Sequence, residues 1–358
     1  MKLFRTLLSV VAVLSLSLSI FPSIKYQISA AFILIMLFLA EGHFNRNTLK
    51  ICGAFLVLIL INAAINLFRL DVVEFVKTFF FFTIFFLVIS LTAESASKLI
   101  GNKILLLSIS VVSIIGFEIF QIIKMLLFKD YSVLFMLDRF SISTADNYDR
   151  FQAVNFLLYT RPISFYHEPS YMATVLFVLN LSNDYRIKNK FISVLCAIGI
   201  FLSLAMSVIV IFILYYMIKR KYAGLLFLFV GLSLGFFLPV LEFFRFGEIF
   251  VPGTSAWVRL ILPLTTIIKL VLGGYYYLGV PLGNLPVILD NSLFLSLAYF
   301  GLWIIPFLYF MLNSVKIINK MLYFGIFMLL LVNGAFFTPE SIFLFLLLRV
   351  YTNQRSYA

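Results

Sequence analysis

An all-α, polytopic membrane fold is what this sequence predicts, and three observations carry the prediction. Hydrophobic residues make up 63% of the 358 residues and charged residues only 12%, too few to clothe a water-facing globule. Apolar runs of about twenty residues recur along the chain, each long enough to cross ~30 Å of hydrocarbon. None of these runs alternates as a barrel strand would. A bilayer offers the backbone no hydrogen bonds, so the runs must be helices.

The basic residues order the spans, because Lys and Arg collect in cytoplasmic loops. With Lys2 and Arg5 inside, the first five spans run over 6–21, 26–41, 51–68, 72–91 and 104–128, which leaves Arg46/Lys50 and Lys98/Lys103 inside as well. Ser17-Leu18-Ser19 imitates a signal-peptide cleavage site, but the spans that follow favour an uncleaved anchor. Residues 129–165 form a first large periplasmic loop, and a span over 166–182 returns the chain to the basic loop of Arg186, Lys188 and Lys190. The next apolar stretch, 191–218, ends at Lys219-Arg220-Lys221, so both of its ends belong inside. It is therefore read as two short helices, 190–203 and 206–218, hinged at Ser203-Leu204-Ala205-Met206-Ser207, where hydroxyls satisfy the freed backbone groups. A span over 222–240 leads to a second large periplasmic loop, 241–289, and spans over 290–312, 321–337 and 339–350 bring the C-terminus inside. The total is about twelve transmembrane helices in one integral membrane domain, 1–358, with both termini cytoplasmic.

The net charge of +12 is mostly this topology, and it calls for no nucleic-acid partner; membrane lipid is the expected surrounding. Cys52 and Cys196 both fall within spans and read as small core residues rather than as a disulfide or a metal site. The outer loops hold no DxD pair, HExxH helix or GxxxxGK[ST] loop, so neither a metal, another cofactor nor ATP is expected. Polar residues inside spans fall on single helical faces: Asn62, Asn66 and Arg69 in the third span, and Glu118 and Gln121, with Lys124 further round, in the fifth. Glu74 and Lys77 are spaced to pair at i, i+3. Such residues either join helices or line a cavity that admits a lipid head group.

Chemistry is concentrated in Arg161-Pro162-Ile163-Ser164-Phe165-Tyr166-His167-Glu168-Pro169-Ser170-Tyr171. Pro169 suits the first turn of a helix, which sets Glu168 at a helix N-terminus, where the dipole favours a carboxylate. His167 beside it accepts or gives a proton near neutral pH. The bland alternative is a capping Glu168 and an interfacial His167. Both outer loops keep cations against the positive-inside trend: Arg139, Arg150 and Arg161 in the first, Arg245, Arg259 and Lys269 in the second. The guanidinium fork matches phosphate oxygens two at a time, and a lipid pyrophosphate reaches the protein at this depth. Tyr166, Trp257 and Tyr275-Tyr276-Tyr277 either stack on sugar rings or belong to the interfacial aromatic belt.

The Arg161-Pro162…Tyr166-His167-Glu168-Pro169-Ser170 string, followed by a span and a Ser-bearing helical hairpin, resembles the O-antigen and capsular polysaccharide polymerases of the Wzy type. The second outer loop adds Ser255-Ala256-Trp257-Val258-Arg259 and Gly279-Val280-Pro281-Leu282-Gly283-Asn284, similar to that family's S-x-x-x-R and G-x-G-x-N features. Asp290-Asn291-Ser292 leads into a span as the family's N-S does. The resemblance implies a glycosyltransferase of the bacterial inner membrane that uses no nucleotide sugar, its active site facing the periplasm; the lack of a DxD pair predicts that it works without a metal. Donor and acceptor are both oligosaccharides on undecaprenyl pyrophosphate, and a chain-length regulator is an implied partner. Arg161 and Arg259 would meet the pyrophosphates or the developing charge, and Glu168 or His167 would deprotonate the acceptor. Arg245, Lys269, Tyr166, Asn284 and Asn291 would bind substrate. Two rivals share the compartment: an O-antigen ligase using the same donor, and a lipid-linked oligosaccharide flippase. A flippase usually has related halves and a site at the midplane, whereas this chain shows unequal loops and no repeat.

Overall fold

A computed structural model describes residues 2–15, 43–128, 169–203, 205–219, 252, 255–282, 284–285, 292–314, 342 and 346–347. Among these the chain is helical, and the sole β feature is an isolated bridge between Phe44 and Leu91. In chain order the helices are α1 (Lys2–Leu14), α2 (Arg46–Ile65), α3 (Val72–Ser90), α4 (Ala93–Ile100), α5 (Lys103–Phe128) and α6 (Pro169–Ser182). They continue with α7 (Lys190–Leu202), α8 (Met206–Lys219), α9 (Ser255–Leu272), α10 (Ser292–Phe300) and α11 (Ile304–Ser314). Among the described residues four stretches are long and apolar enough to cross a membrane: Arg46–Ile65, Val72–Ser90, Lys103–Lys124 and Leu293–Phe310. Large apolar side chains stand exposed along the first three, among them Val57, Ile61, Val76, Phe80, Val112 and Phe120. Lipid tolerates such faces and water does not, so these helices mark a membrane protein.

The chain forms two compact units: Met1–Asn45 with Leu91–Ile209 and Thr338–Ala358, and Arg46–Ser90 with Val210–Phe337. In the first, α5 packs against α1, α6 and α7. Every side chain from Met172 to Asn183 is buried, so α6 runs through the interior of this unit, as a helix apolar all round should. The turn after it is stapled to α7 by Asn183, whose Nδ2 donates to the Asn189 carbonyl and to Ser193 Oγ, both at 2.8 Å. Helix α7 ends at Leu202, and the Ser203 hydroxyl donates to the Ile200 carbonyl at 2.6 Å while accepting the Ala205 N–H at 3.2 Å. The hinge thus lies where the sequence places it, and a hydroxyl satisfies backbone groups there as expected. Cys196 is buried on α7.

Helix α4 was not evident from hydropathy, being short and half polar. Thr92 caps it by accepting the Ser95 N–H at 3.3 Å, and Glu94 pairs with Lys98 at 2.9 Å. Lys98 holds the Glu94 carboxyl below its usual range. The segments expected together on one side meet here: Arg5 donates to the Lys98 carbonyl at 3.3 Å, Asn102 N to Thr6 Oγ1 at 2.8 Å, and Thr92 N to the His43 carbonyl at 2.9 Å.

In the second unit α2 packs along α3, and α9 along α10. Phe55 sits at the middle of an aromatic cluster, its ring centroid 5.5 Å from that of Phe307, 5.9 Å from Phe300 and 6.2 Å from Phe86. Without a hydrophobic drive in lipid, interlocked rings of this kind supply the packing that holds helices together. Cys52 is buried beside them, within 3.4 Å of Ser90 Oγ, a small core residue as expected. The stretch read as the second outer loop holds an 18-residue helix, α9, that span-hunting passes over because Arg259, Pro263 and Lys269 interrupt its apolar run.

Candidate functional site

Pro169 lies in helix α6, and the residue before it is outside the described residues. Pro lacks the N–H that would be orphaned in a first turn, so it is tolerated near a helix start. Ser170 is buried, and its carbonyl accepts the Thr174 hydroxyl at 2.7 Å. The strongest candidates, Arg161, Tyr166, His167 and Glu168, precede this helix and lie outside the described residues, as do Arg245 and Asn291. What the structure gives is the helix that follows them in sequence, buried from Met172 on.

Arg259, Lys269 and Asn284 all belong to the second unit. Arg259 lies near the start of α9, and Pro263, four residues on, has no N–H to give the Arg259 carbonyl. The Thr265 and Thr266 hydroxyls both donate to the Leu262 carbonyl, at 3.0 and 2.7 Å, beside this break in the helical ladder. Lys269 is exposed in the last turn, where the helix dipole favours a cation.

The chain then turns back through 273–282, pinned on two sides. Gly279 takes a φ of +73°, and a Cβ there would run into the Tyr299 carbonyl and lie 2.5 Å from the Ala298 oxygen. Only glycine fits both demands. Backbone bonds from Val280 N to the Ala298 carbonyl, 2.7 Å, and from Leu302 N to the Tyr276 carbonyl, 2.9 Å, close this crossing. From the other side buried Asn62 of α2 donates to the Leu278 and Gly279 carbonyls at 3.0 and 3.3 Å. Asn66 in turn donates to Asn62 Oδ1 at 2.9 Å, so of the pair read from i, i+4 spacing Asn62 joins two elements and Asn66 braces it.

Asn284 accepts the Asp71 N–H on its Oδ1 at 2.9 Å, and the Asp71 carboxylate caps α3 by accepting the Val73 and Glu74 N–H groups at 3.1 and 3.2 Å. Glu74 pairs with Lys77 at 3.1 Å, as its spacing indicated. The structure therefore brings Asn284 into a polar collar with Asp71, one turn of chain from the Asn62 and Asn66 pair. Sequence reasoning did not single out Asp71, although Asp71-Val72-Val73-Glu74 reads as a cap followed by an acidic third residue. The turn at 66–71 and the 273–284 segment, both expected outside, are thus hydrogen-bonded to each other. The Tyr276 and Tyr277 rings lie with centroids 4.3 Å apart, and both are exposed.

Among the described residues no three His, Cys, Asp or Glu side chains gather as a metal site would require. No family model, curated protein or solved structure matches this chain.

Proposed function

We propose that the protein is a polysaccharide repeat-unit polymerase of the bacterial inner membrane. It transfers a growing glycan from undecaprenyl pyrophosphate to a new undecaprenyl-pyrophosphate-linked repeat unit at the periplasmic face. The observation that carries this reading is the run from Arg161 to Ser170, a dense patch of chemistry in an apolar chain, leading directly into α6 at Pro169. A helix enclosed on every side is a rigid mount for the residues joined to its first turn.

In the reaction the acceptor hydroxyl oxygen bonds to the anomeric carbon of the donor's reducing-end sugar, and the bond from that carbon to the pyrophosphate oxygen breaks. Glu168 or His167 takes the hydroxyl proton, and the pyrophosphate leaves with the bonding electron pair. Arg161 and Arg259 meet its charge with forked donors. The Asn62 clamp and the Gly279 crossing hold the segment that follows α9, the helix that carries Arg259 and Lys269.

The test is a vesicle assay with full-length protein and a lipid-pyrophosphate-linked repeat unit, resolved as a ladder on a gel. The reading expects chain extension that Glu168→Gln or Arg161→Ala removes. Ladders of unchanged length from both variants, each shown to be in the membrane, would remove those residues from the chemistry.

A further inference from the structure

Glu118 of α5 is fully buried, and among the described residues neither carboxyl oxygen has a hydrogen-bond partner. It faces the backbone of Gly199 on α7: a Cβ at that glycine would sit 3.0 Å from Oε2, 2.6 Å from Leu176 Cδ1 of α6 and 3.2 Å from Ile115 Cγ1. The glycine thus makes the notch that the carboxyl fills, and apolar side chains complete its walls. Among the described residues Glu118 thus packs α5 against α7 without a hydrogen bond between the helices. Ser110, two turns earlier on the same helix, has an equally buried hydroxyl that finds no partner among the described residues.

A carboxylate ion cannot be kept unpaired in such a place, because moving it from water costs far more than one helix contact returns. We propose that Glu118 is an intramembrane proton-binding site, filled while α5 and α7 are packed at Gly199 and emptied only when that contact opens. The ligand is a proton from the aqueous phase. The exchange is simple: the carboxyl gives its proton to water entering the opened notch, and the charge it then carries opposes reclosure.

The surrounding charges support a site governed by packing. On the described helices that pack most against α5, the titratable groups are Lys2 and Arg5 of α1, Tyr171 of α6, and Lys190 and Cys196 of α7; α5 itself adds Lys103 and Lys124. Lys2, Arg5, Lys103 and Lys190 stand at helix starts. Cys196, one turn before Gly199, is a thiol without positive charge. None of them forms an ion pair with Glu118.

Infrared difference spectroscopy on the full-length protein in lipid tests the site without any glycan assay, so its outcome is independent of the polymerase reading. At neutral pH an exposed carboxyl, with a pKa of about 4.3, is ionised. Wild type minus Glu118→Gln is expected to show the C=O stretch of one protonated carboxyl, and Glu118→Asp to keep that band at a shifted frequency. On raising pH the band should fade together with increased amide exchange around Gly199, a coupling that Glu118→Gln abolishes. Carboxylate stretches in place of the protonated C=O band in that difference would mean an ionised Glu118 and overturn the proposal. Equal pH-linked exchange around Gly199 in both proteins would overturn the coupling. Should Glu118→Gln fail to fold, the shifted band of Glu118→Asp decides alone, its absence counting against the site.

Discussion

Asn62 and Gly279 lie 217 positions apart in sequence and are joined by a hydrogen bond from the Asn62 amide to the Gly279 carbonyl at 3.3 Å. The same nitrogen reaches the Leu278 carbonyl at 3.0 Å, so one buried side chain holds the segment after α9 against α2. Such bonds inside membrane proteins contribute on average about 0.6 kcal/mol, and up to ~1.7 kcal/mol. Asn62→Leu is accordingly expected to lower unfolding stability in detergent by about 1 kcal/mol. Because it loosens the mount of Arg259 and Lys269, it should also shorten the polymer ladder while membrane level is kept. An unchanged ladder at lowered stability would limit Asn62 to a structural role.

Gly279→Ala should be far worse than Gly53→Ala. At Gly279 the φ of +73° and the Tyr299 carbonyl both oppose a Cβ, whereas at Gly53, within α2, a Cβ meets nothing within 4 Å. The first substitution is expected to cut the amount of folded protein recovered from membranes. The second should be neutral or stabilising by about 0.4–1 kcal/mol, since alanine narrows the unfolded ensemble. Thermal unfolding of the two purified variants checks this.

Phe55 ties α2 to α3, α10 and α11 through its rings. Phe55→Ala leaves a cavity the size of a ring, with a cost of about 3–5 kcal/mol in well-packed cores. Phe55→Leu, which keeps most of the volume, should recover the greater part. Denaturant titration in mixed micelles distinguishes the two.

Arg161→Lys keeps the charge and removes the fork. If Arg161 grips a pyrophosphate through two parallel hydrogen bonds, lysine should restore little of the activity lost in Arg161→Ala, with a loss of about tenfold or more. Steady-state chain extension measures it. Full activity in Arg161→Lys would make the contact a simple charge. The same assay in EDTA is expected to run at an unchanged rate.

How far the sequence could be read follows from the physics of each element. Long apolar runs bounded by basic residues announce their helices, and α2, α3 and α5 start and stop within a few residues of the expected spans. The hinge at Ser203 was legible because a hydroxyl acts locally. Helices α4 and α9 were not, because a window that averages hydropathy is diluted by Glu94 and Lys98 in one and by Arg259, Pro263 and Lys269 in the other. Asn62 was picked out by its face on the helix, but its partners on Leu278 and Gly279 depend on tertiary folding that no local pattern carries. The same is true of Asn284, whose bond to Asp71 N closes over more than 200 residues of chain.

The central claim is polymerisation, and it is tested most directly by the surface glycan of a deletion strain on a gel, together with the lipid-linked intermediates on each face of the inner membrane. The account predicts single repeat units on their final acceptor and no ladder, with the ladder restored by the wild-type chain. Full-length polymer left on undecaprenyl pyrophosphate, or single units held on the cytoplasmic face, would contradict it.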